Sequence, residues 1–269
     1  MLLNAAKLAC STYYYYVSQL EKPNKYADVK VDILRIFRDE NKCRRGYRVI
    51  TEELRKTRII NHKTVLRLMQ EMGISCMVRA KRYSSYKGSV GKVAANLLNR
   101  EFEAACPNEK WVTDVTEFHL FGQKLYLSTI LDLYNREIVS YTICPRPRMS
   151  MVMNMLDEAI CKLPHQATNL MLHSDQGWQY QMKKYQRKLK AHGITQSMSR
   201  KGTCLDNAVM ENFFGILKTE LLYIQEFNSM EHFIEELHAY IYYYNHRRTK
   251  KKCMGMSPIA YRTKFELAA

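Results

Sequence analysis

The stretch Lys110-Trp-Val-Thr-Asp-Val-Thr-Glu-Phe-His-Leu120, followed by Phe121-Gly122-Gln123 and Lys124-Leu-Tyr-Leu-Ser-Thr-Ile-Leu-Asp-Leu133, decides the fold. Its β-branched and aromatic residues read as two strands, Trp111 to Leu120 and Leu125 to Leu133, joined by a turn at Phe121-Gly122-Gln123. A third strand follows at Ile138 to Ile143. Beyond it the pattern alternates: a helix near Ser150 to Lys162, a short apolar strand from Asn169 to Leu172 ending at His173, a helix from Trp178 to His192, and a brief strand from Ile194 to Ser197. Three meandering strands that pass into alternating helices and strands predict an α/β domain with a five-stranded sheet flanked by helices.

Past Gly202, Thr203-x-x-Asp206 has capping-box spacing ahead of an apolar run with Ala208, Phe213, Ile216, Leu217 and Leu221, which supports a long helix. Asn207 at its start is read as a cap rather than a nucleic-acid contact. A further helix, Met230 to Tyr244, carries Phe233, Leu237 and Ile241 along one side.

Upstream, Val29, Ile33, Ile36 and Phe37 recur at helical spacing from Asp28, and a second helix runs from Tyr47 to Leu54 through Ile50. In a third, Asn61 caps the start, Val65, Leu68, Met69 and Met72 form the buried stripe, and Gly73 stands where a left-handed C-cap is wanted. Its other face shows His62, Lys63 and Arg67. Three short helices ending on a basic face suit a helix-turn-helix-like unit whose last helix enters a DNA groove. The expected organisation is an irregular segment 1–27 with the Tyr13 to Tyr16 run, a helix-turn-helix-like domain 28–76, a basic linker 77–107 holding Arg79, Lys81, Arg82, Lys87 and Lys92, and a catalytic core 108–269 with a C-terminal helical extension. The tyrosine run is expected to pack against a neighbouring helix.

In 269 residues, 42 Lys and Arg stand against 26 Asp and Glu, a net charge of +16 that draws the chain to polyanions. Residues 1–107 hold half of the basic residues but only 10 of the acids, so the N-terminal part is expected to be the main electrostatic clamp. A second basic knot is Arg247, Arg248, Lys250, Lys251 and Lys252. The eight cysteines form no Cys-x-x-Cys pair, which argues against a zinc site and for reduced thiols in an intracellular compartment. No stretch is long enough to span a membrane, and no Ser, Cys or Tyr stands with a His and an acid as a nucleophile.

Acids in so basic a chain point to divalent metal beside nucleic acid. Asp114 falls inside a strand, Asp175 follows another, and Glu211 lies on a helix, three elements that can converge at one sheet edge. Packed without a cation they repel and raise one another's pKa; two Mg²⁺ ions neutralise them through hard oxygen ligands. Lys218, two helical turns past Glu211 and on its side, suits a DNA phosphate near the metals. Taken singly, His173 is a buried residue ending a strand and Trp111 a core residue.

Trp111-Val-Thr-Asp114, Asp132-Leu-Tyr-Asn-Arg136, His173-Ser-Asp175-Gln-Gly177, Asp206-Asn-Ala-Val-Met-Glu211-Asn-Phe-Phe and Leu217-Lys218-Thr-Glu220 together resemble the orfB-type transposases of insertion sequences. So do Tyr244-Asn-His-Arg-Arg248, Met256-Ser-Pro258, Arg45-Gly-Tyr-Arg48 and the run from Asn61-His-Lys63 to Arg67-Leu-Met69. These belong to the insertion-sequence-three family, a branch of the retroviral integrase and RNase H-like superfamily, whose acidic triad leaves 35 residues in its second gap, as Asp175 and Glu211 do. The resemblance implies an RNase H-like α/β core with a mixed five-stranded sheet. Asp114, Asp175 and Glu211 become the metal triad for two Mg²⁺ ions, with Mn²⁺ as the alternative, Lys218 a phosphate contact, and Asp132 none of the three acids.

It further implies a transposase that binds terminal inverted repeats and target DNA, frees a 3′-hydroxyl and joins it to another strand, with Asn61, His62, Lys63 and Arg67 on the DNA-reading helix. A homo-oligomer on DNA, an upstream-frame product of the same element as partner, and a nucleoid-associated place in a prokaryotic cytoplasm follow with it. The rivals are an RNase H-like nuclease or resolvase without strand transfer, and a catalytically silent DNA-binding regulator.

Overall fold

Apolar residues three and four positions apart build the first core. In the computed structural model, which describes residues 9–20, 25–40, 43–75, 92–164 and 169–266, helix α1 spans Cys10–Leu20, α2 Ala27–Leu34 with a π-helical continuation Arg35–Glu40, α3 Tyr47–Leu54 and α4 His62–Glu71. The chain divides into two compact units, Met1–Met77 and Val78–Ala269. Val29, Ile33, Ile36, Phe37, Ile50, Leu54, Val65, Leu68 and Met69 form the buried cluster of the first, with Met72 half-buried against it. The side-chain oxygen of Asn61 accepts from the backbone N–H of Lys63 at 2.9 Å, and Gly73 takes φ +65° just past the helix end, a conformation a side chain would strain.

Helix α1 corrects the expectation of an irregular start. Residues 10–20 contain no glycine or proline to break a helix. Tyr13, Tyr14 and Tyr15 are exposed, so the run does not form a buried apolar stripe.

The second unit is built on one sheet. Strands β1 (Lys110–Leu120), β2 (Gln123–Asp132), β3 (Ile138–Cys144), β4 (Met171–Ser174) and β5 (Thr195–Met198) lie in the order β3-β2-β1-β4-β5. The meander β1-β2-β3 is antiparallel; β4 pairs parallel with β1, and β5 parallel with β4. The first hairpin turns at Phe121 and Gly122, both at positive φ, as a two-residue turn between right-twisted strands requires.

Helix α5 (Met149–Cys161), the short α6 (Trp178–Gln181) and α7 (Lys183–Ala191) cover one face, packing Met151, Leu156, Tyr180, Tyr185 and Leu189 with Trp111 and Ile130. Helix α8 (Ala208–Leu217), its π-helical continuation Lys218–Leu222, and α9 (Met230–His246) cover the other, packing Met210, Phe213, Leu217 and Phe233 with Val112, Phe118 and Leu127. Helix α10 (Pro258–Glu266) closes the C-terminal part, where Arg262 reaches Glu137 at 3.1 Å and Asn135 donates to the Pro258 carbonyl at 3.1 Å. Trp111 is core, as its neighbours in the sequence suggest.

Three local expectations are corrected. The helix from Trp178 is two helices, broken where Met182 turns extended at ψ 134°; no Gly or Pro marks that break. Thr203 makes no side-chain capping hydrogen bond; the Asp206 N–H donates to the Thr203 carbonyl instead, and the Asp206 carboxylate, which would complete the box, is taken by two arginines. The later part of the supposed linker packs on the core, with Leu98 buried; Arg79, Lys81, Arg82 and Lys87 lie outside the described residues.

The basic knot near the C-terminus is partly turned inward. Arg248 forks onto Glu220 at 2.7 Å, and Lys250 donates to the Tyr244 hydroxyl with its Nζ 4.0 Å from that ring's centroid. Lys252 bonds the Leu133 carbonyl at 3.0 Å and Glu103 at 2.6 Å. A buried ammonium needs such partners to offset its lost hydration; Arg247, Lys251 and Lys252 are exposed, Arg248 and Lys250 half-buried. Among the described residues no helix is long and apolar enough to cross a membrane.

Asn61→Ala is expected to lower stability by about 1 kcal/mol in chemical denaturation followed on the first unit, whereas Asn61→Asp, which still accepts at the helix start, stays near wild type. A drop in both variants would show that the cap is not what the residue supplies.

Candidate active site

Strand register brings the first two acids together. Thr113 of β1 lies opposite Ser174 of its parallel neighbour β4. Asp114 and Asp175, one residue further along each chain, therefore come level on the same face at the carboxyl end of β4, about 4.8 Å apart in backbone spacing. Both are half-buried. Burial pushes the Asp114 carboxyl well above the usual carboxylate range, and the charges of Asp175 and Glu211 push the same way. The Val115 amide and the Lys218 ammonium pull it back. Burial raises Asp175 as well, against the Gly177 N–H that donates to its Oδ1 at 2.8 Å. A Cβ on Gly177 would come within 2.9 Å of that same oxygen, so the glycine is what lets the loop close on the carboxylate.

The third acid arrives on a helix tied to β1. Asn207 Nδ2 donates to the Thr113 carbonyl at 3.3 Å, one residue before Asp114. This corrects the capping expectation: Asn207 makes no cap bond and instead anchors the foot of α8, leaving its own Oδ1 buried without a hydrogen bond. Glu211 stands one helical turn beyond that tie, exposed, with its charge felt at Asp114. Lys218 begins the continuation of α8, its Nζ 5.4 Å from the centroid of Phe118. Phe118 and Asp114 are four residues apart on β1 and share a face, so the lysine and the acids occupy one side of the sheet.

A residue the sequence did not single out backs the pair from the other face. Tyr180 is fully buried, its hydroxyl 3.4 Å from Thr113 Oγ1, which in turn donates to the Thr129 carbonyl at 2.8 Å. Burial raises the Tyr180 pKa, and the charges of Asp114 and Asp175 add to it. An aromatic in an apolar helix reads as core, and only its place three residues after Gly177 hinted at more.

His173 is buried as expected, with Nδ1 2.8 Å from Ser197 Oγ and Nε2 3.1 Å from Ser199 Oγ. Asp132 sits apart, accepting from the backbone N–H of Asn108 and Tyr134 at 2.8 and 2.9 Å in the β2–β3 turn. In the first unit His62 and Lys63 are exposed on α4, His62 with its ring centroid 6.3 Å from that of Tyr47. Arg67 pairs with Glu71 and lies 5.4 Å from the Tyr26 ring, so it is the least free of the basic side chains on that face.

Among the described residues no three His, Cys, Asp or Glu side chains are gathered into a ready-made metal cage. What the fold prepares is a pair of half-buried carboxylates, only partly compensated by two backbone N–H donors, with a third acid and one ammonium within electrostatic reach. That donor set, all hard oxygen and short of positive charge, fits a divalent cation of the magnesium type.

Residues 104–204 match the family described as Integrase core domain, residues 211–265 a second family of the same description, and residues 24–82 the HTH-like domain. The putative transposase InsK for insertion sequence element IS150 of Escherichia coli strain K12 is 54% identical over 97% of this chain and 92% of its own length. The transposase InsF for insertion sequence IS3A of the same strain is 33% identical, over 83% of this chain and 78% of its own. Among solved structures, a chain of the simian T-cell lymphotropic virus intasome in complex with PP2A regulatory subunit B56 gamma aligns with a TM-score of 0.50 at 19% identity, covering 81% of this chain and 70% of that one. The likeness is one of fold: an α/β RNase H-like core of the integrase type.

Burial holds the His173 imidazole neutral down to about 4. Once unfolded it takes up a proton near 6.5. At this site the unfolded state thus binds more protons between those values, and the His173 contribution to stability is expected to fall by up to about 3 kcal/mol as pH drops from 6.5 to 4, while the raised Asp114 and Asp175 carboxyls act the other way. Urea titrations across that window should show the slope in wild type and a shallower one in His173→Asn.

Proposed function

The chain belongs to the insertion-sequence-three family of transposases, and from that premise we propose that Asp114, Asp175 and Glu211 hold two Mg²⁺ ions, or Mn²⁺ in their place, for its work on DNA. As a DNA transposase and polynucleotidyl transferase it cleaves and transfers DNA strands. The observation that supports the assignment of residues is the level pairing of Asp114 and Asp175 across β1 and β4, with Glu211 and Lys218 both felt electrostatically at Asp114.

A bound pair of divalent ions supplies activation of the attacking oxygen and stabilisation of the leaving oxygen at a phosphodiester. The protein's own part is positional. Gly177 N–H and Val115 N–H each donate to one carboxylate and fix its rotation. The Asn207 tie sets the height of Glu211 against Asp114. Lys218 holds a phosphate of the DNA on the acid face. In the first unit, His62 and Lys63 on α4 grip the element's terminal repeat, with Arg67 contributing once it leaves Glu71, while Asn61 serves the helix as its cap.

The partners in this reading are the terminal inverted repeats, target DNA, further copies of the chain that bring two ends together, and an upstream-frame product of the same element. Its place is the nucleoid of a prokaryotic cytoplasm. The domain limits follow the same reading: a helix-turn-helix-like domain within 28–76 and a catalytic core from 108 onward.

A labelled element-end duplex incubated with Mg²⁺ and a target plasmid should give cleaved and joined products with wild type. Asp114→Asn, Asp175→Asn and Glu211→Gln should each remove both products while end binding in a gel-shift assay stays within about twofold, and Lys218→Ala should cost about 100-fold in rate, the size of losing one donor to the reacting group. Triad variants that still cleave would overturn the residue assignment.

Gly177→Ala tests the loop instead. The added methyl displaces Asp175 Oδ1, and a misplacement on the order of 1 Å is expected to slow cleavage by about 100-fold with little change in thermal midpoint. Unchanged cleavage would mean that the Asp175 carboxylate tolerates another rotation.

A further inference from the structure

The lead-in to the second unit is wired to both ends of the acid cluster. Residues 94–97 follow β5 without being strand or helix, and the chain then turns at Asn99 and Arg100, both at positive φ. The amides of Leu97 and Leu98 both donate to Ser197 Oγ, at 2.9 and 3.1 Å. That hydroxyl also meets His173 Nδ1 at 2.8 Å, and His173 is two residues before Asp175 on β4. By a second route, Asn96 Nδ2 and Arg100 Nε donate to Asp206 at 2.8 Å each. Asp206 is fully buried and directly precedes Asn207, the tie between α8 and β1. Its remaining lone pairs are taken by Arg200, through N, Nε and Nη2 at 3.0, 2.9 and 2.8 Å. Leu98, 1% exposed, pins the segment to the core between the two routes.

We propose that this lead-in is a positioning strap for the acids: Asn96 and Arg100 act through Asp206 on the helix that carries Glu211, while the Leu97 and Leu98 amides act through Ser197 and His173 on the strand end that carries Asp175. The inference rests on the reading of Asp114, Asp175 and Glu211 as the ion-holding acids. The strap sets the separation between carboxylates on two different elements, a quantity neither element sets alone. Side chains that orient ligand-bearing groups in this indirect way usually change metal affinity or rate by 10- to 100-fold when lost. Asp206 is saturated by five donor contacts, so its removal would disturb folding; Arg100, 45% exposed, and Asn96 at the other oxygen can be cut back without opening the core.

The test uses the full chain with Arg100→Ala, Arg100→Lys and Asn96→Ala. Cleavage of the labelled end duplex is followed over a Mg²⁺ series, with KM for the duplex, Mg²⁺ binding to DNA-free protein by calorimetry, and thermal midpoint measured alongside. The expected result is a rise of about tenfold or more in half-saturating Mg²⁺ for Arg100→Ala, in cleavage and in calorimetry alike, with KM for DNA within twofold, partial recovery in Arg100→Lys and a smaller shift in Asn96→Ala. A raised KM with unchanged Mg²⁺ dependence makes Arg100 a phosphate contact and overturns the strap, as does a lowered thermal midpoint with unchanged Mg²⁺ dependence. Wild-type behaviour of all three variants beside an active parent sinks the strap alone. A parent that neither cleaves nor binds Mg²⁺ sinks the triad reading and the strap with it.

Discussion

Parallel pairing of β1 with β4 forces two aspartates level with each other on one face of the sheet, and the rest of the second unit accommodates that repulsion. Like charges at strand spacing in a partly dry pocket resist ionisation together. The chain answers with fixed donors: Val115 N–H on Asp114, Gly177 N–H on Asp175, and the Lys218 ammonium across the face. These relieve the repulsion without cancelling it, which leaves a demand for positive charge that two bound divalent ions would meet.

The frame around the pair is stiff for the same reason. Val112 and Phe118 pack α8 and α9 on one face, and Trp111 and Ile130 pack α5 to α7 on the other, so β1 cannot rotate to separate its acid from that of β4. The Asn207 bond to the Thr113 carbonyl then brings a helix, an element with its own rise and twist, into register with a strand. Such a junction is costly to leave loose, since a helix foot that slips by one residue moves Glu211 by about 100° around its axis.

Much of this was legible in the residues. The hairpin, the third strand and helices α3 and α4 follow from alternation, turn chemistry and apolar spacing, because each is decided locally. The acids were legible as a set through their spacing and the motifs around them. What escaped reading depends on partners far along the chain. Thr203 has the lettering of a capping box, yet Asp206 is claimed by Arg100 and Arg200. The tract before residue 108 looks like a linker because the bonds that seat it run to Ser197 and Asp206, 100 and 110 residues further along the chain. Lys250 reads as surface charge until Tyr244 receives it. Helix α1, whose exposed tyrosine run forms no buried apolar stripe, left periodicity nothing to detect.

The setting of Asp206 bears on the polarity of the whole pocket. Two guanidinium groups pair with that carboxylate, which makes Asp206 a structural anion rather than a candidate ligand. On the triad reading, divalent ions would turn a cleft that is short of positive charge into one that attracts a phosphodiester, and an Asp206 without its arginines would weaken that change of sign.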